Sequence, residues 1–411
     1  MTSREKSILA AVSLVHGLVH SYMLVFPTIY LSLGNALGLN FASVGFVGMA
    51  SYMAFGFGAL PTGFLSDRLG ARRLLVLCVA GMAASSLVAF TARTTASVVV
   101  ALVLLGLFGS LYHPSGLSLI STSIKDLGRA LGIHGTAGTV GEACAPIIAG
   151  VVTARFGWNY SYLGLGLVGI GALVLLIAIL RRIGPPEEPH PAERRESRDF
   201  KWITSDLVTI YAMGVVYGLT YRVLMTFFPP YLSERVSYIG GDVKRLGIVS
   251  SGIMVFSLIG PLLGGHLATG RKAIERNLIV IFSLLGAAAV GFYFLSDVGL
   301  ILVAIPSVLL IFCFQPLQNV LVAKVSPRGV RGRAYGINST VSFGIGASAA
   351  GIGGVFGERF GVRSVFLLML GLCLVQLAVV RTSRYVRERR GGSGEGEELD
   401  TSGIARAGQG G

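Results

Sequence analysis

The sequence predicts an all-α integral membrane fold, with twelve transmembrane helices in two pseudo-symmetric six-helix bundles. Three observations carry that prediction. Twelve apolar runs each approach the roughly 20 residues that span a bilayer as helix. Lysine and arginine gather between alternate runs. The second half of the chain also repeats the first at a near-constant offset.

The runs lie at about residues 8–30, 43–66, 74–92, 97–121, 130–154, 160–180, 206–231, 246–269, 277–295, 299–322, 334–356 and 363–381. Membrane strands are excluded, because lipid accepts them only in closed barrels with alternating side chains, and these runs are continuously apolar. Composition agrees: the 411 residues are 53% apolar and 13% charged, against about 25% charged in soluble domains. The first run is long, dotted with polar residues and not closed by an A-x-A-like site. It is expected to remain as the first span.

Charge sets the orientation. With the N-terminus inside, the inner loops and both termini hold 26 of the 34 Lys and Arg, the outer loops hold seven, and Arg222 lies within a span. This bias predicts a multi-pass protein of the cytoplasmic (inner) membrane with both termini cytoplasmic. The net charge of +14 does not point to nucleic acid, since the basic residues form short clusters between apolar runs with no interleaved aromatic platform. Cys78, Cys144, Cys313 and Cys373 each stand alone, so neither a disulfide framework nor a zinc site is expected.

The only long polar stretch inside the chain, RRIGPPEEPHPAERRESRDFKW at 181–202, divides the spans six and six. The expected organisation is an N-terminal bundle over 1–181, a cytoplasmic linker over 182–204, a C-terminal bundle over 205–383 and a disordered tail over 384–411. The halves repeat. GRALGIHGTAGTVGEACAPIIAGVVTARFG, from Gly128, aligns with GRAYGINSTVSFGIGASAAGIGGVFGERFG, from Gly332, at an offset of 204. HGLVHSY aligns with YGLTYRV at 201, and YHPSG with FQPLQ at 202, pairing His20 with Tyr221 and His113 with Gln315. Such repeats build alternating-access transporters, with the site at their interface.

Two polar residues lie deep in spans. Glu142 is 13 residues beyond Arg129 in the fifth span, about 20 Å along the axis at ~1.5 Å per residue. Intramembrane ionisable groups usually mark pathways or proton relays, and a buried carboxyl can exchange protons near neutrality. Arg222, in TYRVLMTFFPPY of the seventh span, can bind an anionic group with two hydrogen bonds. Alternatively, Glu142 and Arg222 pair with each other, or carbonyls and Tyr221 satisfy Arg222. His16 and His20 share one face of the first span, His113 precedes Pro114 in the fourth, and His134 opens the fifth. They can relay protons, bind anions, or simply pack. Histidines at i and i+4 can hold a metal, but no third ligand is evident, so no metal site and no cofactor is expected. GLGLVG at Gly164–Gly169 matches the dinucleotide fingerprint, yet it lies inside an apolar span and reads as helix packing.

After the second span comes GFLSDRLGARR, Gly63 to Arg73, which resembles the signature loop of the major facilitator superfamily, G-x-x-x-D-R-x-G-R-R. Ala71 stands where an arginine is common. The resemblance implies an inner-gate latch carried by Gly63, Asp67, Arg68, Gly70, Arg72 and Arg73. The equivalent in the second half, GGHLATGRK, has Thr269 in place of Asp67, so the latch is expected on one side only. The fifth span resembles that superfamily's antiporter motif through Gly132, Gly141, Pro146 and Gly150, with Ala145 and Ala149 replacing glycines; plain small-residue packing is the other reading. Within the superfamily, the His-bearing first span and YHPSG are similar to the fosmidomycin-resistance-like exporters.

The resemblance implies a monomeric, proton-linked antiporter, usually an exporter, in membrane lipid. The expected function is export of a small organic solute, with Glu142 as the proton site and Arg222, His16, His20, His113, Tyr221 and Gln315 lining the cavity. The alternative is an organic-anion importer or facilitator in which Arg222 and the histidines form the anion site. A non-transporting membrane sensor on the same fold is a further alternative, disfavoured by the nearly intact Gly63–Arg73 stretch. No nucleophile–base constellation or nucleotide motif is present, so neither an enzyme nor an ATP-driven pump is expected.

Overall fold

Twelve helices, each long and apolar enough to cross a membrane, overlie the twelve apolar runs. The computed structural model describes residues 1–183, 200, 204–268, 271–327 and 330–391, apart from the side chains of Asp67, Arg271 and 384–391. Most of the expected linker and tail lies outside these residues. Among the described residues there is no strand.

The first bundle comprises α1 (Ser3–Leu37), α2 (Phe41–Leu69), α3 (Ala71–Thr91), α4 (Thr95–Ser123), α5 (Leu127–Phe156) and α6 (Trp158–Arg182). The second comprises α7 (Ser205–Arg235), α8 (Val243–Leu267), α9 (Arg271–Phe294), α10 (Asp297–Val325), α11 (Arg331–Phe360) and α12 (Val365–Gly391). Polar caps start several of them. Thr2 and Glu5 form a reciprocal box at α1, and Asn40 accepts from the Ser43 N–H at 2.8 Å to open α2. The signature stretch is therefore not a loop. Helix α2 runs through Leu69, and only Gly70, at φ +83°, separates it from α3, because glycine alone takes that backbone without strain.

Three helices are interrupted where they approach the centre. Helix α4 breaks at Ser110–Leu111, since the ring of Pro114 excludes the carbonyl four residues earlier. Helix α8 tightens over Val255–Leu258, and α11 widens into a π turn over Thr340–Ile345. Such wide turns collect at functional sites.

Helices α1 and α7 are the most enclosed, with 72% and 67% of their apolar windows buried, whereas α6 has 28%. The outer helices present Leu167, Val174 and Leu374 outward, as lipid-facing surfaces require. Within the bundles, Gly17 of α1 meets Gly141 of α5, and Gly218 of α7 meets Ser342 of α11; a methyl group at Gly141 or Gly218 would collide with backbone. Between the bundles, α2 packs on α11 and α5 on α8 along their whole lengths. At the face where the chain begins, Gly63 meets Gly332 and Gly128 meets Gly265; at the far face, Gly45 meets Ala350 and Gly150 meets Gly247. Both ends of the interface are shut, so this is an occluded conformation.

Candidate functional site

At the centre of the interface lies a small cavity of about 30 Å³, room for water but too small for an organic solute. Its lining repeats across the two halves. His16, His113, His134 and Gly135 come from the first bundle, and their counterparts Tyr217, Gln315, Asn338 and Ser339 come from the second. One half thus supplies imidazoles and the other a phenol, amides and hydroxyls. Gln318 donates to the Asn338 side chain at 2.8 Å and to the Ile210 carbonyl at 3.1 Å, which fixes the amide wall.

The histidines are held in defined tautomers. His16 Nδ1 lies 2.7 Å from the carbonyl of His134; a carbonyl only accepts, so Nδ1 carries the proton. Tyr112 donates to the Val12 carbonyl at 2.8 Å and so receives its second hydrogen bond from His134 Nε2. The His16 and His134 rings stack with centroids 4.0 Å apart. His134 does not merely open its helix: it sits two turns inside α5, 3% exposed.

Glu142 is fully buried on α5. Its Oε1 pairs with His20 Nδ1 of α1 and accepts from the Tyr221 hydroxyl of α7 at 2.7 Å, while Oε2 has no hydrogen-bond partner. His20 and Tyr221 are the residues that the repeat aligns. A single carboxyl therefore ties equivalent positions of the two bundles together. The ion pair between Glu142 and Arg222 is not formed. The Arg222 guanidinium lies 3.4 Å from the centre of the Tyr52 ring and 5.7 Å from that of Tyr221. Of the expected cavity residues, His16, His113 and Gln315 line it; His20, Tyr221 and Arg222 lie outside its walls.

The fold brings His113 to the His16–His20 pair. One nitrogen each from His16, His20 and His113 lie within 4.8 Å of one another, a grouping hidden in sequence because His113 is 93 residues beyond His20. Tyr52, Gln318, Ser342 and Phe343 carried no sequence signal beyond lying in spans. Tyr217 and Asn338 were recoverable, as the repeat offsets of His16 and His134 land on them.

In the signature stretch, Gly63 is at the bundle interface, but Arg72 donates to the Ile183 carbonyl of its own bundle at 3.1 Å. Arg68 and Arg73 are exposed, and the Asp67 side chain lies outside the described residues. Helix α11 makes cross-bundle bonds at both faces. Arg331 donates to the Ser121 carbonyl at 2.7 Å, while Glu358 accepts from the Ala42 N–H at 2.9 Å and from Asn40 at 3.2 Å.

The family model for the Major Facilitator Superfamily matches residues 12–351. The chain belongs to the Major Facilitator Superfamily. The multidrug efflux pump Tap of Mycolicibacterium fortuitum is 24% identical over 355 residues, covering 81% of this chain and 85% of Tap. The multidrug efflux pump LfrA of Mycolicibacterium smegmatis is 36% identical over 133 residues, covering 31% of this chain and only 26% of LfrA. The crystal structure of the human organic anion transporter MFSD10 (TETRAN) superposes with a TM-score of 0.72 at 15% identity, covering 92% of this chain and 100% of that one. This superfamily transporter is thus a multi-pass membrane protein with the expected fold. The resemblance to the fosmidomycin-resistance-like branch is not specifically matched.

Proposed function

We propose that this superfamily member exports a small organic solute across the cytoplasmic membrane by alternating access, in exchange for protons. The observation that carries the reading is the position of Glu142, a fully buried carboxyl bonded to His20 of one bundle and Tyr221 of the other. Any change in its charge alters a bond across the moving interface, which is what coupling an ion to a rocking motion requires. The ionisable groups facing it are His20 from α1 and Tyr217 and Tyr221 from α7. The likeness to Tap supports export, and the basic bias of the loops supports a cytoplasmic location for both termini. The occluded cavity, lined by both halves, is where the solute would sit once the bundles part.

The test is transport in proteoliposomes with an imposed pH gradient. Glu142→Gln should abolish pH-driven movement while solute–solute exchange across equal pH persists. A variant that keeps pH-driven movement would remove Glu142 from the coupling step. Arg222 lies outside the cavity wall, so the anion-carrier reading is tested separately: it requires Arg222→Gln to abolish uptake of organic anions.

A further inference from the structure

Three histidines cluster beside the central cavity, though nothing in the transport reading requires them to converge. Their rings surround one point. The centroids of His16 and His20 are 4.6 Å apart, those of His16 and His113 are 5.3 Å apart, and those of His20 and His113 are 5.5 Å apart. Three imidazoles bound to a tetrahedral ion with N–metal bonds of about 2.0–2.1 Å place their centroids roughly 5 Å apart. The packing already has that spacing. One nitrogen from each ring lies within 4.8 Å of the others, and ligand nitrogens in such a shell sit about 3.4 Å apart, so each pair draws in by no more than about 1.4 Å.

The second observation is the state of the nitrogens. Nε2 of His16, of His20 and of His113 is buried without a hydrogen-bond partner in all three residues. On His16, Nδ1 is committed to the His134 carbonyl, and on His20, Nδ1 is committed to the Glu142 carboxyl. In a neutral ring with its proton on Nδ1, Nε2 carries a lone pair free to bind a metal. A ring whose far nitrogen donates to a carboxylate or carbonyl is the usual outer-shell arrangement of a metal-bound histidine, because it fixes the tautomer and strengthens the ligand. Packing histidines alone gives no reason for three converging imidazoles that each keep a buried, unpartnered nitrogen, costly to desolvate.

We propose that His16, His20 and His113 form a binding site for a divalent transition-metal ion such as Zn²⁺, with Glu142 and the His134 carbonyl as its outer shell. Imidazole donors favour zinc and its neighbours over magnesium or calcium. His16 and His113 also line the central cavity, so the fourth coordination position opens onto water there, or onto a donor atom of a solute. The proposal stands whether or not Glu142 carries the coupling proton.

The experiment uses the full chain, purified in detergent with a tag free of histidine, and Zn²⁺ alone as probe. Calorimetry should find one ion per chain in the wild type and in His266→Gln, whose side chain lies elsewhere on α8. His16→Gln, His20→Gln and His113→Gln should each weaken binding at least ~100-fold, and Glu142→Gln 10–100-fold. A measurement on the wild type alone guards against misfolded variants: bound Co²⁺ should show the strong visible bands of a pseudo-tetrahedral nitrogen shell. Equal Zn²⁺ binding by the wild type and the triple variant, no binding by the wild type, or the weak spectrum of aquated Co²⁺ would each overturn the proposal.

Discussion

Arg222 holds a buried cation against the face of Tyr52, and the two residues belong to opposite bundles. A desolvated stack of this kind contributes about 2 kcal/mol, and only the flat guanidinium makes it well. Thermal unfolding should show Arg222→Lys and Tyr52→Leu each losing roughly 1–2 kcal/mol. The double variant should lose less than the sum of the two, as expected for contacting residues. Additive losses would mean that the stack contributes nothing. At the same scale, the orphaned Oε2 of Glu142 and the free imidazole nitrogens are costs that a purely structural core avoids. Buried polar groups of this kind are kept where a ligand or proton visits.

Between helices, the controlling feature is how closely backbones approach. Gly141 of α5 lies directly on the Gly17 carbonyl of α1, whereas Gly164 of α6 has open space where its side chain would be. The two glycines look alike in sequence, both sitting in small-residue runs. Gly141→Val should destabilise the protein by at least ~2–3 kcal/mol through overpacking against backbone. Gly164→Val should be neutral or slightly stabilising, because it removes freedom from the unfolded chain only. Unfolding midpoints of the two variants in the same detergent decide the matter: similar values would show that the α1–α5 seam yields. In GLGLVG, the packing expected of the run belongs to Gly166 and Gly169, which meet Leu87 and Tyr22, and not to Gly164.

Across the whole molecule, one helix of the second bundle grips the first bundle at both ends. Near the chain termini, Arg331 of α11 holds the last turn of α4, and at the far face Glu358 caps the start of α2. The pseudo-symmetric helix has no such cap, since Ala154 occupies the position equivalent to Glu358 and α8 is capped by its own Asp242. Backbone N–H groups from Arg245 and Lys244 hold the exposed Asp242 carboxyl below its ordinary pKa. The proposed alternating access requires that the two grips on α11 release in turn. Glu358→Ala should therefore raise amide hydrogen exchange at residues 42–46 of α2 without changing exchange at the last turn of α4. Unchanged exchange at 42–46 would show that the cap does not hold the far face shut.

The sequence by itself determined the twelve spans, their grouping and the repeat. Those properties are local: a run of about 20 apolar residues has one stable state in lipid, and a duplicated half folds as its twin does. It also named Glu142, Arg222 and the four histidines at the centre, because a charge or imidazole in an apolar run stands out against its background. Which of them touch was decided by tertiary packing alone. Glu142 meets His20 and Tyr221 rather than Arg222, Arg222 finds Tyr52, and His113 completes a trio with His16 and His20, across sequence gaps that no periodicity spans. Tyr52 was silent for the same reason, since an aromatic residue in a membrane helix is ordinary until a cation is packed on its face. The signature stretch Gly63–Arg73 was legible as a motif, whereas the cross-bundle bonds of Arg331 and Glu358 on α11 were not. Bonds between rigid bodies depend on the state those bodies are in.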